Sequence, residues 1–230
     1  MDIKQAQDFA NLSYDMNLDG DKEERVKNIQ EKLPENWNVV SDESNRRQLV
    51  LYNETDNHYH ISTRGTDPTN KKDLLQDASI GFLSVGKSNS FKSRNEKLMD
   101  TYSRIPEDSV ITMSSHSLGS AQQQYDLSNS KELSRRVSQV DFFNGASHPF
   151  TNHAFGKVTD SQKKVLKNKV THHRNRADLV SSGLNFAGTN MGKVIIYDSK
   201  PINPVRKYTE KFILGFSPTN ILKQHEATFG

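Results

Sequence analysis

A serine hydroxyl at its ordinary acidity is a poor nucleophile, so a chain that uses one must also supply a base and hold the oxygen clear of the backbone. The segment Val110 to Leu127, VITMSSHSLGSAQQQYDL, offers such a place: an apolar strand runs into Ser115-His116-Ser117-Leu118-Gly119 and then into a helix-compatible run. A tight strand-to-helix turn lifts Ser117 Oγ out of a sheet, and the helix N-terminus behind it favours developing negative charge. The G-x-S-x-G spacing is incomplete, because Ser115 stands where the first glycine is expected. Taken alone, the same pattern also fits a serine that caps a helix.

Four further segments carry groups that such chemistry needs. His60 to Asp77, HISTRGTDPTNKKDLLQD, reads as a strand closed by the polar turn Arg64-Gly65-Thr66-Asp67. Val140 to Pro149, VDFFNGASHP, is a strand whose Asn144-Gly145 suits a sharp exit. Val170 to Gly183, VTHHRNRADLVSSG, leads into the carboxylate of Asp178, and Ile221 to Glu226, ILKQHE, holds His225. Eight histidines compete for the role of base: His58, His60, His116, His148, His153, His172, His173 and His225. His225 has the order and position that fit best, because Ser, Asp, His is the order of α/β-hydrolase triads and His225 follows the final strand.

With these segments in this order, the chain resembles the class 3 (fungal-type) lipase family of the α/β-hydrolase superfamily. SHSLGS is similar to that family's GHSLGG-type elbow, and the strand before STRGT with its D-x-x-x-D helix is similar to the family's oxyanion segment. The resemblance implies a catalytic triad of Ser117, Asp178 and His225, with backbone donors at Thr66 and Leu118 forming the oxyanion hole. It also implies carboxylic ester hydrolysis without a cofactor, on lipid or small esters, and a lid near Gly81 to Phe91 whose Phe82, Leu83 and Val85 would cover an acyl groove or touch a lipid surface. The chain departs from the family at Ser115 and Ser120, where glycines are usual. A catalytically silent member of the same fold, serving in structure or binding, is the alternative.

Positioning these groups requires a particular set of elements. Ile3, Ala6, Phe9, Ala10 and Tyr14 recur at helical spacing, and so do Val26, Ile29 and Leu33 after an N-cap at Asp21. Trp37 to Val40, Gln48 to Tyr52 and His58 to Thr63 read as a β-meander. Helical patterns follow over Lys71 to Ile80, Phe91 to Ile105 and Leu118 to Leu127, interleaved with strands at Ser109 to Met113, Val140 to Phe143, Val170 to His173 and Val194 to Tyr197. This alternation predicts one α/β domain over residues 1–230, of the α/β-hydrolase fold, with a mostly parallel central sheet flanked by helices. Gly81 to Ser90 is its most loop-like segment.

Composition removes several other classes. With no cysteine there is neither a disulfide framework nor a thiol nucleophile. His58-x-His60 and His172-His173 offer imidazoles to a metal, but no carboxylate or third ligand stands at a recognisable spacing, so no metal site is expected. The net charge is +3, with basic concentrations at Lys163 to Lys169 and Arg174 to Arg176. The basic run lacks interleaved aromatics, so no nucleic-acid partner is expected. The N-terminus lacks an apolar h-region and no segment approaches the ~18 apolar residues of a membrane span. The expectation is a soluble, intracellular protein, peripheral to lipid at most, with another export route open; no feature sets an oligomeric state.

Overall fold

The computed structural model describes residues 1–65, 89–145, 159–175 and 191–197. Helix α1 (Ile3–Leu12) starts where the Asp2 side chain accepts from the Gln5 N–H at 2.7 Å, and buries Ala6, Phe9 and Ala10. Helix α2 (Lys22–Gln30) starts in the same way, with Asp21 accepting from Glu24 N–H at 2.7 Å, as the sequence predicts. Both helices stop earlier than the apolar spacing suggests, so Tyr14 and Leu33 lie beyond their ends.

A meander of β1 (Trp37–Val39), β2 (Gln48–Asn53) and β3 (His58–Thr63) follows, paired antiparallel. The chain then alternates: α3 (Asn89–Arg104), β4 (Val110–His116), α4 (Leu118–Asn129), α5 (Lys131–Arg136), β5 (Gln139–Phe143), α6 (Asp160–Leu166), β6 (Val170–Asn175) and β7 (Lys193–Tyr197). The described strands form one seven-stranded sheet in the order β1 to β7, and β3 to β7 run parallel. The predicted fold class, a mostly parallel sheet flanked by helices, is therefore the observed one. The predicted strands of the meander and the elbow are found within a residue or so of their expected bounds, except that β1 stops one residue early at Val39 and β4 starts one residue late and runs on to His116. The predicted helix over Lys71 to Ile80 lies outside the described residues, and so does the Gly81 loop except for Asn89 and Ser90, which already belong to α3.

Among the described residues, the two largest apolar clusters hold the sheet. Phe9, Met16, Ile29, Trp37, Leu49 and Leu51 pack beneath the N-terminal helices. Ile61, Leu98, Tyr102, Met113, Leu127, Val140, Phe142 and Val170 belong to a second and larger cluster. Each fully buried Leu, Ile or Phe contributes about 1.5–3 kcal/mol by leaving water. A chain with 33% hydrophobic residues must supplement this with polar groups that satisfy one another. Across β3 and β4 they do: Thr112 Oγ1 bonds both His58 Nε2 and His60 Nδ1 at 2.7 Å, and His60 Nε2 reaches Ser114 Oγ at 2.8 Å. Register explains the contacts, since His60 pairs with Thr112 and Ser62 with Ser114.

Candidate active site

Ser117 occupies the turn between β4 and α4, with φ 55° and ψ −128°. A non-glycine residue with such a positive φ costs about 1–3 kcal/mol and persists only where its surroundings impose it. Here the Ser117 N–H donates to the Phe143 carbonyl at 3.2 Å, tying the turn to the end of β5, while α4 begins at the next residue. Ser117 stands at the N-cap position, yet its side chain makes no capping hydrogen bond. The hydroxyl therefore has no structural partner of the kind that a helix-capping serine uses.

Close approach around the turn depends on two glycines. A Cβ on Gly119 would lie 2.2 Å from the Thr63 carbonyl, so only glycine lets α4 start against the end of β3. A Cβ on Gly65 would lie 2.9 Å from Ser117 Cβ and 3.0 Å from both the His116 carbonyl and the Tyr14 hydroxyl. The Arg-Gly segment after β3 is thereby brought against the serine.

The departures from the glycine-rich elbow are complementary. Ser115 and Ser120 are both fully buried, and Ser115 Oγ donates to Ser120 Oγ at 3.1 Å. Space for Ser120 exists because position 145 is glycine: a Cβ there would meet Ser120 Oγ at 2.6 Å. Asn144 takes φ 44° at the exit of β5, and its Oδ1 accepts from Asn175 N–H at 2.9 Å, so the predicted sharp turn also braces the end of β6.

Of the five residues the sequence assigns to catalysis, Ser117 and Leu118 are described. Leu118 is the first residue of α4, and its N–H has no acceptor within the helix. Thr66, Asp178 and His225 lie outside the described residues, as does Gly81 to Ser88 of the segment expected to form a lid. Strand β6 ends at Asn175, shortly before Asp178.

The five described histidines are committed elsewhere. His58 and His60 bond Thr112, and burial holds His60 well below the ordinary imidazole range and lowers His58 less far. His116 Nδ1 meets the Tyr14 hydroxyl at 2.9 Å. His172 Nε2 meets the Met191 carbonyl at 3.0 Å, and burial, reinforced by Arg174, lowers it to about 4. His173 pairs with the Asp141 carboxylate at 2.8 Å and with the Tyr197 hydroxyl at 3.0 Å. None of them hydrogen-bonds Ser117. The imidazoles considered as metal ligands are likewise spent on hydroxyls, a carboxylate and a carbonyl, and the described residues contain no group of three or more His, Cys, Asp or Glu arranged for a metal ion.

Tyr14 is the residue that the spacing misread. Treated as the last apolar position of α1, it instead carries a hydroxyl that reaches His116 and accepts from Gly65 N–H at 3.2 Å. No local signal announces a contact that spans this much of the chain.

A parallel sheet with a strained serine at the strand-to-helix turn of its central strand defines an α/β-hydrolase architecture. No family model and no curated protein matches the chain. Among solved structures, lipase II from Rhizopus niveus is similar over 79% of this chain and 75% of its own, at 14% identity and a TM-score of 0.45. A lipase from Rhizopus microsporus var. chinensis is similar over 79% and 69%, at 11% identity and 0.40. The Lip2 lipase from Yarrowia lipolytica is similar over 71% and 68%, at 13% identity and 0.40.

Proposed function

We propose that this chain is a serine hydrolase that cleaves carboxylic esters, with acylglycerols or phospholipids as its substrate class. The observation that carries the reading is Ser117: a positive-φ serine between strand and helix, uncapped, with the Gly65 backbone against it. The base and acid are His225 and Asp178, in agreement with the engagement of all five described histidines elsewhere.

His225 takes the Ser117 proton as Oγ attacks the ester carbonyl, and the oxyanion receives the Thr66 and Leu118 N–H groups. Collapse breaks the carbonyl–alkoxy bond and the alcohol leaves with the proton from His225. Water, deprotonated by the same imidazole, then releases the acid and restores Ser117.

The test is labelling by a fluorophosphonate probe, together with turnover of p-nitrophenyl esters of increasing chain length. Labelling of the parent protein, lost in Ser117→Ala and His225→Ala, is the expected result. A folded parent that neither labels nor turns over, with or without lipid vesicles, would instead identify a silent hydrolase-fold module.

A further inference from the structure

Of the 31 basic and 28 acidic residues in the chain, seven and two fall within residues 131–136 and 160–169, which make up α5, α6 and the turn into β6. The rest of the chain therefore has a net charge of −2, and these two segments raise it to +3. The two helices pack against each other and bury Leu133 and Leu166 in the larger apolar cluster. Lys131, Arg135, Lys163, Lys164 and Lys167 are left exposed. Lys163 pairs with Asp160 at 3.4 Å, but among the described residues no carboxylate pairs with the other four.

Local physics does not require this much positive charge. Cations are favoured in the last turn of a helix, which suits Arg135 and Lys164, yet Lys131 opens α5, where the dipole disfavours it. Lys169 Nζ donates to the Arg135 carbonyl at 2.7 Å, and burial, with the Arg135 charge close by, lowers its ammonium below the usual lysine range. Like charges gathered with so few carboxylates among them are offset by an anion from outside the chain.

The composition of the two segments favours a lipid surface over a nucleic acid. Neither segment holds an aromatic residue on which a base could stack. Among the lysines stands instead the aliphatic Val165, 36% exposed, and the long lysine stems reach past it toward headgroups. The location follows from the sheet: α5 leads into β5 and Lys169 directly precedes β6, whereas Ser117 follows the end of β4. Because these three strands are parallel, the basic face and Ser117 lie toward opposite edges of the sheet. We propose that α5 and α6 form a docking face for an anionic lipid surface, which holds the protein with Ser117 turned away from that surface. The proposal stands on the distribution of charge and does not need Ser117 to be catalytic.

The experiment is co-sedimentation with phosphatidylcholine vesicles, made with and without phosphatidylserine. It compares the parent with the triple variant Arg135→Gln, Lys164→Gln, Lys167→Gln and with Lys4→Gln, Lys27→Gln, Lys32→Gln, which removes three exposed lysines elsewhere. The parent is expected to bind only the vesicles that contain phosphatidylserine and to be released by salt. Each cation removed from the face should weaken binding about fivefold, so the first triple variant loses about a hundredfold and the second much less. No binding by the parent, or equal losses in the two triple variants, overturns the proposal, and so does retention on DNA without binding to vesicles. Orientation has its own readout: because the chain has no cysteine, Val165→Cys and Leu18→Cys each carry a single environment-sensitive fluorophore. Leu18 is exposed next to Asn17, whose side chain accepts from Arg64 near the Ser117 edge. A blue shift on the vesicles at position 165 and none at position 18 is expected, and a shift at position 18 as large as that at position 165 overturns the proposal.

Discussion

Around Ser117 single atoms decide what fits. Gly65→Ala should abolish most ester turnover, because the added methyl meets Ser117 Cβ, the His116 carbonyl and the Tyr14 hydroxyl at 2.9–3.0 Å. Circular dichroism would separate this local effect from unfolding. The Ser115–Ser120 pair makes a second prediction at this scale. Ser115→Gly strands a buried hydroxyl on Ser120 and should destabilise by about 1–3 kcal/mol. Ser115→Gly combined with Ser120→Gly should cost less than the two single changes added together, which a double-mutant cycle in urea would read.

Helix α4 is the element on which the candidate site depends, since it starts immediately after Ser117 and packs its polar face inward. Gln123 is fully buried and donates to the Ser114 carbonyl at 2.8 Å and to Thr63 Oγ1 at 3.1 Å, pinning the helix over the β3–β4 junction. Gly119→Ala should unseat this start: the overlap with the Thr63 carbonyl demands movement of α4, with at least about 1–3 kcal/mol of lost stability. At the other end Asp126 is buried between Asn95 Nδ2 and Gln122 Nε2, each at 2.9 Å. Burial pushes its carboxyl up to about 7, and the two amides offset only part of that. A raised carboxyl binds its proton more tightly folded than unfolded, so its contribution is fully present below the unfolded value near 3.8 and is lost as pH rises toward 7. Asp126→Asn should remove this downward slope while keeping an oxygen for both amides, as unfolding measured between pH 4 and 7 would show.

For the whole molecule, the buried histidines set an opposing trend. His60 and His172 are both lowered by burial, so the unfolded chain binds protons that the folded one refuses. Their contribution to stability is present above the unfolded imidazole range and is lost as pH falls through and below it. Unfolding free energy should therefore drop on acidification from pH 6.5 toward 4 more steeply in Asp126→Asn than in the parent, because the compensating carboxyl is gone. Equal slopes in the two proteins would contradict the raised Asp126 carboxyl, because the histidines act alike in both. Among the described residues no helix is long and apolar enough to cross a membrane.

Local chemistry alone determined much of this protein. Period-two and period-3.6 patterns, the Asp21 cap and the turn residues Asn144 and Gly145 placed the described strands, helices α1 to α4 and the elbow, because each depends on a few adjacent residues. The identity of Ser117 as the residue at the apex was legible for the same reason. The tertiary structure decided what lies between distant segments: that Ser115 and Ser120 satisfy each other, that Gly65 and Gly119 are required by close approach, and that Tyr14 serves the elbow rather than the core of α1. It also decided which of the described histidines are engaged elsewhere, since every imidazole looks alike in a sequence. Such facts belong to contacts between residues far apart in the chain, and hydrogen-bond satisfaction and steric exclusion exist only once the sheet has brought those residues together.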